Sequence, residues 1–201
     1  MTTASYLEVR PIIIYPPCLK AGRTQDCFAC ALYRSGTCPS PRGACVKCYR
    51  NHRRGCPNYG KRKDCPPSVP MFDQVFDVSK PVYAIYSIFD LAEHVERMRA
   101  RRPDWTEPQL LNSWFWQPTA NRLLNKRITE FISIYRNAGY YATTGPEAMG
   151  IDVTETMRNA GIELEWPVRK QVYKIAFAGI LLDDRHKFEI SGTNCRIRKK
   201  E

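Results

Sequence analysis

The chain has 201 residues, 43 % of them hydrophobic, with nine cysteines and a formal charge of +11. That length suits one ordinary domain, or one domain plus a small appendage, with enough apolar residues for a core. No apolar run approaches the roughly 20 residues of a membrane span. Met1–Arg10 lacks the basic start and long apolar stretch of a secretory signal, so a cytoplasmic protein with no membrane association is expected.

In chain order, Val9–Tyr15 is a short isoleucine-rich run followed by Pro16-Pro17, which reads as a strand ended by prolines and makes 1–17 an N-terminal strand segment. Residues 18–70 show no sustained helical or strand period. They are rich in Gly, Pro, Arg and Cys and cannot bury much apolar surface, so metal is the economical agent to fix them. Residues 71–190 have the composition of a globular α/β domain. Pro81–Phe89 reads as a strand and Asp90–Arg101 as a helix capped by Asp90. Thr106 caps a short helix carrying Leu110, Leu111, Trp114 and Phe115. Thr119–Asn137 is a longer amphipathic helix stopped by Gly139. Tyr140–Thr143 reads as a short strand, Asp152–Ala160 as a helix ended by Gly161, and Gln171–Leu182 as the clearest strand in the chain. Residues 191–201 form a basic tail. The alternation predicts an α/β or α+β fold, a small sheet with packed helices, preceded by an irregular metal-stabilised cysteine-rich segment.

Eight of the nine cysteines lie between Cys18 and Cys65. In a reducing compartment such clusters are thiolate ligands before they are disulfides, and a secreted disulfide scaffold is usually shorter and poorer in core. They divide into two sets of four: Cys18, Cys27, Cys30 and Cys38, then Cys45, Cys48, Cys56 and Cys65. Each set holds one C-x-x-C pair, whose sulfurs can face one ion, and two cysteines at loop distance that can close the shell. Interleaved ligation remains an alternative partition. Zinc knuckles often place Gly after the second Cys of the pair, and the pairs here read CFACA and CVKCY. Cys38, Cys56 and Cys65 each precede proline, a step common around iron–sulfur clusters. The pattern slightly prefers a 4Fe-4S iron–sulfur cluster, with Zn²⁺ as the alternative. His52 is a further zinc-ligand candidate, though a solvated loop histidine is the plainer account of it.

The charge shares the segment with the cysteines. Residues 18–70 carry eleven Lys and Arg against two acids, a net +9. Two tetrathiolate sites, each of charge −2 with its metal, would reduce this to about +5. Arg50, Arg53, Arg54, Lys61, Arg62 and Lys63, with Tyr59 beside them, suit phosphate contacts to nucleic acid or the docking of an acidic protein partner; the alternative is a solvated basic loop offsetting thiolate charge. Arg97, Arg99, Arg101 and Arg102 read as the exposed end of a helix. Trp105, Trp114, Phe115 and Trp116 read as core or interface before ligand pocket. The tail residues Arg196–Lys200 can add to a polyanion footprint, and Cys195 reads as an ordinary thiol.

Two blocks carry a family resemblance. Gly55-Cys56-Pro57-Asn58-Tyr59-Gly60 with Cys65-Pro66-Pro67, and Pro146-Glu147-Ala148-Met149-Gly150-Ile151-Asp152-Val153 with Thr156, resemble in order the signature of an uncharacterised family of predicted metal-binding proteins, domain of unknown function 2284. The resemblance spans roughly residues 45 to 182. It implies cysteine-bound metal, commonly supposed to be iron–sulfur, and no established reaction. The family also carries a cysteine cluster just before the second block. Here Tyr140–Pro146 has none, and the extra cysteines lie upstream, at Cys18–Cys38. The expectation is a second site lost downstream and gained at the N-terminus.

Within the second block, Asp152 and Glu155 could serve a site, but a helix cap at Asp152 and a tight turn at Gly150 account for them more simply. No nucleophile–base pair can be read, so whether the protein is an enzyme stays open. Three functions remain: an iron–sulfur protein, a zinc-stabilised basic module binding nucleic acid, and a structural zinc domain for protein contact.

Overall fold

The structure, a computed structural model, describes residues 5–16, 38–47 and 55–183. Its centre is a four-stranded sheet in the order β1 (Tyr6–Val9), β2 (Val82–Asp90), β4 (Gln171–Ile180), β3 (Tyr140–Thr143). Every pairing is antiparallel, so of the two expected classes the fold is α+β. The helices are α1 (Leu91–Arg101), α2 (Glu107–Leu110), α3 (Ser113–Ile134) and α4 (Val153–Asn159).

The caps follow the sequence. Asp90 accepts from the Glu93 amide at 2.8 Å and Asp152 from the Glu155 amide at 3.0 Å, each satisfying an amide that the first helical turn leaves unpaired. Thr106 and Gln109 close a capping box at α2. The expected helix through Phe115 is instead split. Asn112 accepts from the Trp114 amide at 3.1 Å and starts α3, placing Trp114 and Phe115 there and beginning that helix six residues ahead of Thr119. Pro118 lies in the second turn of α3, so it removes only an early ladder bond. The helix ends at Ile134, a 3₁₀ turn follows at Arg136–Ala138, and Gly139 takes φ +73°.

The N-terminal expectation is corrected. The strand is Tyr6–Val9, and the isoleucine run beyond it only bridges, Ile13 to Ile151. Pro11 lacks the amide a ladder needs. The run is held instead by the 146–156 block: Ile14 donates to the Gly150 carbonyl at 2.8 Å, Asp152 to that of Ile12 at 2.8 Å, and the Ile12 amide to Thr156 Oγ1 at 3.0 Å.

Period-2 alternation gives β2 and β4 two different faces. One packs Ile85, Ala176 and Ala178 beneath Leu124, Ile128 and Phe131 of α3. The other buries Val82, Ala84 and Phe177 against Phe72, Phe76, Met149, Ile151 and Met157. Phe72 and Phe76 stack at 4.4 Å. No helix among the described residues is long and apolar enough to cross a membrane.

Candidate metal centre

Cys38, Cys45, Cys56 and Cys65 lie within the described residues, each half-buried and without a disulfide. Cys18, Cys27, Cys30, Cys48 and Cys195 lie outside them, as do Arg50, His52, Arg53, Arg54 and the Arg196–Lys200 tail.

Local backbone chemistry brings the described cysteines into one lobe. Cys45 sits in a 3₁₀ turn, Pro41–Val46. The Cys56 amide donates to the Cys45 carbonyl at 2.7 Å. That approach requires Gly55: its φ is +77°, and a Cβ there would lie 2.5 Å from the Val46 Cα and 2.7 Å from the Cys45 carbonyl oxygen. Downstream, the Gly60 amide donates to the Pro66 carbonyl at 2.9 Å and that of Cys65 to Arg62 at 3.2 Å, folding Cys65 back towards Cys56. Cys38 packs on the bare face of Gly43, whose added Cβ would meet the Cys38 carbonyl at 3.3 Å and its Sγ at 3.7 Å.

The electrostatics tie three of these thiols together. Burial first, then the charges of Cys56 and Cys65, push the Cys45 thiol up to about 11; Arg42 pulls the other way and Glu147 adds to the rise. Burial and Asp64 also push the Cys65 thiol up, with Arg62 opposing and Cys56 adding a smaller rise. Sulfurs in one another's field resist ionising together unless a cation joins them. Cys45, Cys56 and Cys65 therefore have the donor chemistry of a thiolate metal site. Among the described residues, no three Cys, His, Asp or Glu side chains stand close enough to hold one ion as they are placed; Cys48, the fourth of that set, is not among them.

Arg42, by sequence merely one of the eleven positive residues of 18–70, is a site element that sequence reasoning missed. It is 3 % exposed. Its Nε donates to the Ala148 carbonyl at 2.7 Å and its guanidinium also donates to the Val69 carbonyl. It thus fastens the cysteine lobe to the 146–156 block and places a fixed cation beside Cys45.

Other singled-out residues have plainer roles. Asp152 caps α4. Gly150 has φ +86°, and a Cβ there would lie 2.2 Å from Met71 Cε. Of the basic cluster, Lys61, Arg62 and Lys63 are exposed, but Arg62 is engaged by Asp64 in a two-pronged pair at 2.9 Å. Trp116 stacks on Phe89 at 5.8 Å and Trp105 lies against Phe115 at 4.7 Å, while Trp114 is 84 % exposed. Comparison with protein-family models, with curated proteins and with solved structures found no match.

Proposed function

We propose that the chain is a cysteine-ligated metal protein, with an iron–sulfur cluster as the preferred occupant. The observation that carries this reading is the backbone hydrogen bonding that gathers Cys45, Cys56 and Cys65 into one lobe, from the Cys56 amide to the Cys45 carbonyl and through the 57–66 turn. Cys48 is the fourth ligand by sequence spacing. The Cys-Pro steps at Cys56 and Cys65 favour iron–sulfur over zinc, and the resemblance of the two sequence blocks to predicted metal-binding proteins points the same way. A cluster held there supplies one-electron transfer. The residues around it have their own tasks. Arg42 offsets thiolate charge, Gly55 permits the approach of Cys56 to Cys45, and the 57–66 turn carries Cys65.

Purification without oxygen tests this. A brown protein with broad absorption near ~400 nm and iron and sulfide in fixed ratio is the expected result. A colourless protein with stoichiometric zinc overturns the choice of metal, and one with neither overturns the reading. Iron for two clusters per chain would support a second site through Cys18, Cys27, Cys30 and Cys38; iron for one would remove it.

The exposure of Lys61 and Lys63 beside the lobe favours a second reading, a zinc-stabilised basic module on nucleic acid. It requires binding that weakens steeply with salt. No binding at low salt would remove it.

A further inference from the structure

The helix α3 turns one face to the sheet through Leu124, Ile128 and Phe131. At about 100° per residue, its opposite face collects Trp114, Phe115, Pro118, Arg122, Asn125 and Lys126, and all six are exposed. Two features set that face apart. No acid occurs between Glu107 and Glu130, so the first four turns of α3 show solvent only one sign of charge. The first turn also leaves Trp114 84 % and Phe115 46 % exposed, although tryptophan is highly buried on average.

Printed contacts join this face to the end of α1. The Phe115 ring lies 4.7 Å from that of Trp105, and the Arg102 guanidinium carbon stands 5.8 Å from the centre of the Trp105 ring. That cation–π contact sets a guanidinium fork at the rim of the aromatic patch. Neither Arg102 nor Arg122 enters an ion pair among the described residues. Residues 97–127 carry seven Lys and Arg against two acids, Asp104 and Glu107, a net +5.

Three properties of the surface select its partner. A cationic face without acids calls for an anion. The open Trp114 ring accepts a flat π-system. Asn121 and Asn125 follow Trp114 seven and eleven residues on, along one side of the helix, and their amides both donate and accept hydrogen bonds. Single-stranded RNA meets all three, with its phosphates, its unstacked bases and its 2′-hydroxyls, which likewise donate and accept. A lipid surface is the poorer match, because Thr119 and the two asparagines would lose their water without gaining partners. We propose that the outer face of α3 binds single-stranded RNA, with bases stacked on Trp114 and Phe115, phosphates on Arg102 and Arg122, and base edges and 2′-hydroxyls on Asn121 and Asn125. The face holds no cysteine and does not rest on the metal reading. It is also separate from Lys61 and Lys63, since Val69 and Met149, which border the cysteine lobe, pack on the other side of the sheet.

The test is fluorescence anisotropy of a labelled oligouridylate of about 12 nucleotides with the full chain. Binding should be saturable and should weaken with salt, log K falling against log salt by about 0.7 for each phosphate contact. Trp114→Ala should weaken binding about tenfold at an unchanged salt slope, and Arg122→Ala should lower that slope by about 0.7. Both side chains are exposed, so both variants should melt with the parent. The Trp114→Ala effect should persist when Lys61 and Lys63 are also replaced by Ala, which separates this face from the lobe. Absence of saturable binding at low salt overturns the proposal, as does parental affinity in both Trp114→Ala and Arg122→Ala. Equal binding of oligothymidylate overturns the choice of RNA, and equal binding of duplex RNA overturns that of a single strand. Tighter binding to phosphatidylserine vesicles than to the oligouridylate overturns the choice of a nucleic acid.

Discussion

Arg42 Nε donates to the carbonyl of Ala148 at 2.7 Å, across 106 residues of sequence. This contact joins the cysteine lobe to the block that also anchors residues 12–14. Arg42→Ala leaves the carbonyls of Ala148 and Val69 without their charged donor, and should cost about 3 kcal/mol in urea unfolding. Arg42→Lys restores the charge but not the fork, and should recover only part of it. Arg42→Ala should also lose metal affinity, because Arg42 is the cation that opposes the upward push on Cys45, and Arg42→Lys should retain more of it.

Gly55→Ala should separate metal binding from the stability of the sheet. The added methyl meets backbone, the Val46 Cα and the Cys45 carbonyl, and neither can swing aside as a side-chain end would. The Cys56–Cys45 hydrogen bond should break and metal content should fall severalfold. The far-ultraviolet signature of the sheet, whose strands lie outside this contact, should persist. A variant with full metal content would show that Cys45 and Cys56 need not approach.

How far these features were legible depends on whether their cause is local. Caps at Asp90, Thr106 and Asp152 and the runs at β2, β3 and β4 were readable because a side chain or a period-2 pattern decides them within a few residues. The start of α3 was not, because Pro118 reads as a break while Asn112 supplies an earlier cap. Val9–Tyr15 looked like a strand, but its partners are the carbonyls and hydroxyl of residues 150–156, which no local pattern announces. In the site, cysteine spacing exposed Cys45, Cys56 and Cys65. Arg42 and Glu147 escaped because their roles exist only after folding.

Gly150→Ala carries two penalties that can be measured apart. A φ of +86° is strained for any residue with a Cβ, at about 1–2 kcal/mol. The new methyl would also meet Met71, which is fully buried and has little room to yield, adding about 1–3 kcal/mol. Shortening the neighbour, as in Met71→Ala, leaves a cavity alone but relieves the clash in combination. The double variant should therefore lose less stability than the two single variants added together, by about 1 kcal/mol or more in denaturant unfolding. Strict additivity would mean that Met71 moves aside without cost.

His94 should make the fold acid-sensitive. It is 5 % exposed and its ring lies 5.7 Å from that of Phe89. The Arg97 guanidinium approaches its Nδ1 at 3.4 Å, while its Nε2 is buried without a partner. Burial first, then the Arg97 charge, hold its pKa below the ordinary 6.5. The folded state thus prefers the neutral ring and the unfolded chain takes the proton first. Stability is complete above pH 6.5 and is lost as pH falls from there through the folded-state value, at up to about 1.4 kcal/mol per unit. Urea midpoints from pH 7.5 to 5 should show this loss, and His94→Phe, which removes the titrating ring, should flatten it.

The cysteine lobe predicts an order of thiol reactivity in metal-free protein. The thiolate is the nucleophile, so reactivity follows the ionised fraction. Cys45, pushed up to about 11 from an ordinary 9.0, should be ionised about a hundredfold less at pH 8 than an unperturbed thiol. Cys65, raised less and partly offset by Arg62, should react sooner. Iodoacetamide labelling followed by peptide mass analysis should therefore find Cys45 modified last among Cys38, Cys45, Cys56 and Cys65. Substituting Arg42 by Ala should slow Cys45 further, since the nearby cation is gone. Restoring metal should protect Cys45, Cys56 and Cys65 together while a thiol outside the site continues to react. Protection of Cys45 without Cys56 and Cys65 would mean that the three do not share one ion, and the ligand set would have to be redrawn around Cys45 alone.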